Sequence, residues 1–361
     1  MEHFDMYSDS CPAYRAISYT WGDPSQVRKI TLNGCPFAVR KNLWDFLDAV
    51  RNDPNRWYWI DAICIDQSNV KERNHQVNQM GEIYHNASET VVWLGNNTLY
   101  SSIAFDFIRR RVRENIVSFN LQEHVDSLSA LWSTSYWQRI WVIQEIMLSG
   151  KLLVKWGQEE IEWTTVAFFV ELMQETERQY QDTFSRPWPT KPFMPQHVES
   201  IFNQKDHWGH GRDWAPYRRS LSRVLEIYTS LECEDVRDKV YGLLGLVHVG
   251  AAIGVDYSKS TLDVYLDVLQ QVATCEWDRS IDDHLNFGET LRRSMRLDEV
   301  EPDLLKKFMT PSTYESLYSD PSKERRGKMI WRTCDHMETI ASMAHHLRNC
   351  KEDDRDKALR S

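Results

Sequence analysis

The chain has 361 residues, enough for two domains or for one domain with a helical extension. Its formal net charge of −10 argues against general attraction to nucleic acid or to an anionic membrane. The seven cysteines form no CxxC pair, and no secretory signal is recognised, so we expect a cytoplasmic protein. The longest weakly polar run, residues 241–255, is shorter than the roughly 20 apolar residues that span a bilayer, and we expect no membrane span.

Three apolar segments predict neighbouring strands of a mainly parallel sheet. Residues 16–22, 57–67 and 90–95 each end in a turn or a polar residue, and helix-length segments separate them. Residues 57–67 are interpreted as one buried strand that carries Asp66 and Gln67 to its carboxyl end. Open α/β sheets bind ligands at such strand ends, so we expect a site there.

Local signals place the remaining elements. Asn33–Gly34 predicts the turn of a hairpin over residues 30–39, and Asn42 is predicted to cap a helix that ends near residue 51. Asp66 or Ser68 is predicted to cap the following helix. Ser260 and Asp263 have the spacing of a capping box. Helices are predicted at residues 70–87, 101–117, 121–131, 136–146, 219–231, 238–246 and 261–273, and a further strand at 151–156.

The chain divides into three predicted regions. Residues 1–157 are predicted to form an α/β domain with a mainly parallel sheet flanked by helices. Residues 158–216 contain a helix and a connector rich in proline and tryptophan. Residues 217–361 form a mainly helical region, and its tail of mixed charge at 351–360 is expected to fray.

Several common site motifs are missing from the sequence. Neither a glycine-rich phosphate loop, nor a GxSxG elbow, nor an HExxH helix occurs. His207 with His210, and His346 with Cys350, supply too few ligands for a closed zinc site, so no metal site is expected. The arginine-rich run at 109–113 is interpreted as a solvated helix face.

Two acids stand in apolar surroundings. Asp61 interrupts the predicted strand, where it either accepts bonds from a neighbouring loop or lines a pocket. Glu145 follows Arg139 and Trp141 on a segment rich in aromatic rings, and desolvation by such rings raises a carboxyl pKa. Catalysis, a salt bridge to Arg139 and a plain surface position all remain open for Glu145.

Taken together, these segments resemble the heterokaryon-incompatibility (HET) domain of filamentous fungi. The resemblance rests on four ordered motifs between residues 14 and 148. A later stretch, 235–246 followed by 256–259, resembles the segment that follows the domain in many members. The motifs are Tyr14-x-Ala16-Ile17-Ser18-Tyr19-x-Trp21-Gly22, then Trp59 to Gln67, a helix with Glu72, Arg73, Gln76, Val77, Met80, Tyr84 and Ala87 leading to Val92-Trp93-Leu94-Gly95, and Arg139-x-Trp141-x-x-Gln144-Glu145.

This resemblance implies nonself recognition that ends in regulated cell death. HET domains are similar to Toll/interleukin-1 receptor (TIR) domains, several of which cleave NAD at its nicotinamide bond. Carried over to this sequence, the likeness implies a TIR-like, flavodoxin-like fold with a mainly parallel sheet. It also implies NAD as substrate without a required cofactor, and Glu145 as the catalytic acid. The ligand-binding residues predicted with it are Ser18, Trp21, Gly22, Asp61, Asp66, Gln67, Arg139 and Trp141.

Two other functional readings remain. The chain could be a noncatalytic module that signals by self-association or by assembly with other incompatibility proteins. It could also be a shortened, inactive member of the family, since it begins a few residues before the first motif. In none of these readings do we expect a nucleic-acid partner.

Overall fold

The structure, a computed structural model, describes residues 1–52, 56–96, 98–114, 124–185, 194–205, 220–247, 253–276 and 281–298. The chain forms two compact units, Met1–Tyr217 and Arg218–Ser361. The further division at residue 157 stays a prediction. None of the helices in the described parts of the chain is long and apolar enough to cross a membrane.

A five-stranded sheet lies at the centre of the first unit, in the order β4-β1-β5-β6-β7. The first four of these strands are parallel, and β7 returns antiparallel to β6. Along the chain the parallel strands pair in the order second, first, third, fourth, which is the flavodoxin-like arrangement. The predicted α/β fold class is confirmed. The strands are β1 (Tyr14–Tyr19), β4 (Trp57–Trp59), β5 (Glu89–Trp93), β6 (Leu152–Trp156) and β7 (Glu159–Glu162).

A separate hairpin joins β2 (Val27–Leu32) to β3 (Cys35–Arg40). Asn33 and Gly34 both have positive φ, 51° and 80°, as a type I′ turn requires. The hairpin predicted from this dipeptide is therefore confirmed.

Helices cover both faces of the sheet. Ile17 and Tyr19 of β1 pack with Leu43 and Phe46 of α1 on one face. Side chains alternate along a strand, so Ser18 points to the other face, where α6 contacts β1 and α3. The helices of this unit are α1 (Lys41–Val50), α2 (Asp61–Cys64), α3 (Val70–Asn86), α4 (Leu99–Glu114), α5 (Val125–Trp132), α6 (Trp141–Leu148), α7 (Trp163–Phe184) and α8 (Gln196–Lys205).

The prediction of one long strand over residues 57–67 was wrong. Only Trp57–Trp59 is extended, and α2 begins at Asp61. The periodicity of a short apolar run does not distinguish a strand from a helical turn. Here tertiary packing makes the first part of the run a strand and the next part a helix. Asp61 therefore starts a helix instead of interrupting a strand, and Asp66 and Gln67 follow that helix instead of ending β4.

Two predicted helix caps were also wrong. The side chain of Asn69 caps α3 by accepting from the backbone N–H groups of residues 71 and 72, whereas Asp66 accepts from Ser68 in the turn before it. Asn42 lies inside the first turn of α1, and its amide bonds Thr20 and Trp93 instead of capping the helix. Asn69 thus supplies an acceptor to free backbone N–H groups at a helix start, whereas Asn42 supplies a donor to the carbonyl oxygen of Thr20 after β1.

Three further segments differ from the prediction. Residues 136–146 are not one helix, because a 3-10 turn over Ser135–Gln138 and an extended Arg139 precede α6. Strand β7 was missed; it follows Gly157, whose φ of 62° turns the chain. The segment predicted as a connector contains the end of α7 and all of α8. The histidines at 207 and 210 lie outside the described residues.

The described part of the second unit is helical, as predicted. The capping box of Ser260 and Asp263 at the start of α11 is confirmed. Residues 238–246 form α10 and a separate 3-10 turn instead of one helix, and α12 was not predicted. The tail at 351–360, with His346 and Cys350, lies outside the described residues. The helices are α9 (Leu221–Tyr228), α10 (Asp238–Tyr241), α11 (Thr261–Cys275) and α12 (Ile281–Ser294).

Charged side chains of the later motif at 235–246 hydrogen-bond backbone carbonyl oxygens of this unit. Arg237 pairs with Asp235 at 2.6 Å and donates to the carbonyl oxygens of Tyr257 and Lys259 at 2.7 and 2.8 Å. Lys239 donates to the carbonyl oxygens of Thr229 and Leu231. The charges of the motif thus bind separate chain segments together.

Candidate functional site

Glu145 lies in the interior of the first unit. It belongs to α6, whose residues from Val142 to Leu148 are all buried, and only 3% of its surface is exposed. The helix is enclosed because it contacts β1, α3 and α8. A carboxyl at such a position needs hydrogen-bond partners, since an unpaired buried charge is costly.

Ser18 and Tyr84 supply those partners, and Tyr136 bonds Ser18. The hydroxyl of Ser18 donates to Oε2 of Glu145, and it also hydrogen-bonds the hydroxyl of Tyr136 at 2.6 Å. The side chain of Tyr84 hydrogen-bonds Glu145, and its hydroxyl donates to the carbonyl oxygen of Ile17 at 3.0 Å. The hydrogen bonds from Ser18 and Tyr84 both favour the ionised carboxylate and lower its pKa.

Burial dominates the titration of Glu145. Desolvation raises the pKa of the carboxyl from 4.5 to about 7, while the positive charge of Arg139 and the hydrogen bond from Ser18 oppose the rise. The group is therefore close to half-protonated at neutral pH. This is the range in which a carboxyl can act as an acid or as a base.

The carboxyl end of α6 is fixed by polar contacts. The hydroxyl of Ser149 hydrogen-bonds the carbonyl oxygen of Glu145 at 2.5 Å and the hydroxyl of Thr90 at 2.6 Å. Lys205, buried at the end of α8, donates to the carbonyl oxygens of Met147 and Ser149 at 3.2 and 2.6 Å. A cation at this end satisfies the last carbonyls and complements the helix dipole. These contacts hold the backbone that carries Glu145.

Four residues form a second polar group, the rim cluster: Tyr19, Trp21, Asp61 and Arg139. The indole N–H of Trp21 donates to Oδ2 of Asp61 at 2.6 Å, and Tyr19 also hydrogen-bonds this carboxylate. Arg139 donates to the carbonyl oxygen of Tyr19. Trp21, Asp61 and Arg139 are half-buried, in contrast to Glu145. The rim cluster is thus the partly accessible neighbour of the buried carboxyl.

The other predicted site residues lie around this cluster or apart from it. Gln67 donates to the backbone oxygen of Asp61 at 3.5 Å, and Trp141 is half-buried at the start of α6. The carbonyl of Gly22 accepts from Arg40 at 2.8 Å. Asp66 is exposed and bonds Ser68, so its contacts do not join it to Glu145.

Asn42 lies where the strand order reverses, between β1 and β5. From the sequence it was predicted only as a helix cap. The amide of Asn42 donates to the backbone and hydroxyl oxygens of Thr20, and its Oδ1 accepts from the indole N–H of Trp93 at 2.9 Å. Gly22 and Gly95 follow the two strands with φ of 78° and 110°. A Cβ at Gly22 would lie 3.4 Å from Cβ of Asn42. Crevices at such reversals are the usual ligand sites of these sheets.

Tyr84, Tyr136 and Lys205 were missed as parts of the site. Tyr84 was named only as a residue of the family motif on its helix, and its hydroxyl was the available signal. Lys205 lies in the segment predicted as irregular, where periodicity gave no indication of a helix.

Comparison with known proteins relates one part of the chain to a known family. The family model described as "Heterokaryon incompatibility protein (HET)" matches residues 14–145. The chain contains a HET domain. All residues of the Glu145 network except Lys205 and Ser149 fall within the matched span. No solved structure matches the chain.

Two curated proteins resemble the chain. The first is "Heterokaryon incompatibility protein 6, OR allele" of Neurospora crassa, 26% identical over 311 residues, covering 69% of this chain and 45% of that protein. The second is "Vegetative incompatibility protein HET-E-1" of Podospora anserina, 28% identical over 102 residues, covering 25% of this chain and 7% of that protein. The chain therefore matches less than half the length of each relative.

Proposed function

We propose that this chain acts in heterokaryon incompatibility, as a cytoplasmic protein whose activation leads to regulated cell death. The support is the HET domain at residues 14–145 and the two relatives named for incompatibility. A fusion test would examine the proposal in cells. Deleting the gene from one of two incompatible strains should restore growth of the fused cell, and re-expression should restore the barrier.

We further propose that the HET domain hydrolyses NAD at its nicotinamide bond, with Glu145 as the catalytic acid. The observation that carries this proposal is a buried carboxyl with a pKa of about 7, held beside the carboxyl end of β1. Ionised Glu145 would stabilise the positive charge that develops on the ribose as its bond to nicotinamide breaks. Water then adds to the ribose carbon, yielding nicotinamide, ADP-ribose and a proton.

Catalysis requires that the substrate reach Glu145. With 3% exposure the carboxyl is closed to a ligand, and the rim cluster supplies the half-buried side chains that would have to move. Separation of Trp21 from Asp61 breaks one hydrogen bond to a charged acceptor, which costs about 1.5 to 3 kcal/mol. Such a cost is within the range that ligand binding can supply.

The test is release of nicotinamide from NAD by the purified chain. Glu145→Gln should lower the rate by at least about a hundredfold, because the uncharged amide cannot stabilise the transition state. Glu89→Gln is a matched control, since Glu89 is a buried acid at the start of β5, paired with Arg15 and Lys151. Similar rates for wild type and Glu145→Gln would remove this residue from the reaction.

A second function is favoured by one observation, the complete enclosure of Glu145 by partners within the protein. In this alternative the HET domain is a noncatalytic module that signals by assembly with itself or with other incompatibility proteins. A mass that increases with protein concentration in light scattering, together with no thermal shift on adding NAD, would favour assembly. A monomer that NAD stabilises would favour catalysis.

A further inference from the structure

A cleft of about 400 Å³ lies beside β4, the edge strand of the sheet, between residues 1–7 and α3. We call it the N-terminal cleft. Its volume is typical of small-molecule sites, which usually enclose about 300 to 1,000 Å³. Neither Glu145 nor any other site residue predicted from the sequence lines it. The N-terminal cleft is therefore separate from the Glu145 network.

Aromatic rings form one side of the N-terminal cleft. Trp57 is 41% exposed, and the ring of Phe4 stands edge-on to it with centroids 5.3 Å apart. Trp59 also lines the cleft and packs against Tyr84 behind it, at 5.6 Å between centroids. Aromatic faces of this kind bind flat rings by stacking or edge contacts.

The α3 side of the cleft presents amides. Gln76 and Gln79 are half-buried and line the cleft with His75, one helical turn apart. Among the residues that the structure describes, neither carboxamide has a side-chain hydrogen-bond partner. Each carboxamide offers both donors and an acceptor, so a ligand with a mixed hydrogen-bonding edge would satisfy them.

The charge of the cleft disfavours ligands that carry a phosphate group. The carboxylates of Glu2 and Asp5 line it, and no Lys or Arg is found among its described lining residues. The ammonium group of Met1 is bound to Oδ1 of Asn33 at 2.5 Å. Phosphate groups normally need arginine, lysine or a helix N-terminus, so this lining disfavours a nucleotide and suits an uncharged or cationic ring.

The segment that covers the cleft is held in place by the rest of the unit. Tyr14, at its far end, donates from its hydroxyl to the carbonyl oxygen of Ile83 at 2.7 Å. Within the segment, the backbone N–H of Ser8 donates to the carbonyl oxygen of Asp5 at 3.0 Å. These hydrogen bonds fix the N-terminal segment, so it forms one wall of the cleft opposite α3.

We propose that the N-terminal cleft binds a planar, nitrogen-containing heterocycle that is uncharged or cationic and carries no phosphate. The ring lies against Trp57, and its polar edge bonds the carboxamides of Gln76 and Gln79. This site is separate from the one proposed for NAD hydrolysis. Binding here does not depend on Glu145.

Isothermal titration of the purified full chain tests this proposal with three probes. Adenosine is the uncharged ring, 1-methylnicotinamide is the cation, and AMP is the phosphorylated match to adenosine. We expect at least one of the first two to bind with a dissociation constant below about 1 mM, and AMP to bind at least about tenfold more weakly than adenosine. No binding of either unphosphorylated probe, or AMP binding as tightly as adenosine, would overturn the proposal.

Substitutions of residues that line the cleft test whether the probes bind there. Trp57→Leu and, separately, Gln79→Leu should each weaken binding about tenfold, the second serving if the first does not fold. Trp44→Leu is the matched control, because Trp44 is an exposed tryptophan of α1 that does not line the cleft. Glu145→Gln should bind as the wild type does, even if the catalytic proposal fails. Binding that neither cleft variant weakens contradicts the proposal.

Discussion

Ser18 and Glu145, 127 positions apart in the sequence, share a buried hydrogen bond in which the hydroxyl donates to the carboxylate. The contact joins the first strand of the HET domain to the last helix of the matched span. It opposes the rise in the pKa of Glu145 that burial causes. The two ends of the matched sequence thus meet at one titratable group.

Glu145 should make stability depend on pH. Its pKa is about 7 in the folded protein against 4.5 in the reference state, so the folded chain binds the extra proton between these values. The contribution of protonated Glu145 to the free energy of unfolding is therefore fully present below pH 4.5 and is lost as pH rises through 7. Urea unfolding should show that Glu145→Gln gains roughly 2 to 3 kcal/mol relative to wild type between pH 5 and pH 8. Glu171→Gln, at an exposed site on α7, should keep the wild-type profile.

Ser18→Ala should destabilise the domain more at pH 8 than at pH 5. The hydroxyl stabilises the ionised form of Glu145, which is the main form only above its pKa of about 7. We expect a loss of about 1 to 3 kcal/mol at pH 8 in chemical unfolding. Ser25→Ala, at an exposed serine that bonds Asp23, should change stability by less. An equal loss at both pH values would contradict the link between Ser18 and the charge.

Trp21 and Asp61 should be energetically coupled. A double-mutant cycle with Trp21→Phe and Asp61→Asn measures the 2.6 Å hydrogen bond between them. Because the acceptor is charged and half-buried, we expect a coupling energy of about 1 to 2 kcal/mol. Additive effects of the two changes would mean that this contact does not hold the rim cluster together.

Arg237 should be necessary for the stability of the second unit. Arg237→Ala removes bonds to Asp235 and to two backbone carbonyls, and we expect a loss of roughly 2 kcal/mol or more in thermal unfolding. Arg237→Lys should not restore it, because lysine lacks the planar fork that reaches several acceptors. Arg293→Ala is the control, since that side chain is 73% exposed and its ion pair should contribute little.

Local signals in the sequence predicted much of the fold. The Asn33–Gly34 turn, the capping box at Ser260 and the parallel strands around β1 follow from short-range preferences that the tertiary structure keeps. The errors occur where local preference is ambiguous. Residues 57–67 are apolar enough for either a strand or a helical turn, and packing divided them between β4 and α2.

The candidate site was predicted only in part for the same reason. The sequence indicated Asp61 and Glu145 as acids among apolar neighbours, and Ser18 followed only from the family resemblance. It did not indicate that Glu145 bonds Ser18 and Tyr84 whereas Asp61 bonds Trp21 and Tyr19. Pairings over such sequence distances depend on how the strands and helices stack, which no local pattern encodes.

By itself, the sequence determined the types of most elements and the motifs of the HET domain, because hydrophobic periodicity, turn chemistry and motif order are properties of neighbouring residues. Only the tertiary structure decided that Glu145 is enclosed, that its pKa rises to about 7, and that Asp66 remains in solvent. The physical reason is that desolvation depends on everything packed around a group. For Glu145 those groups come from β1, α3 and the turn before α6.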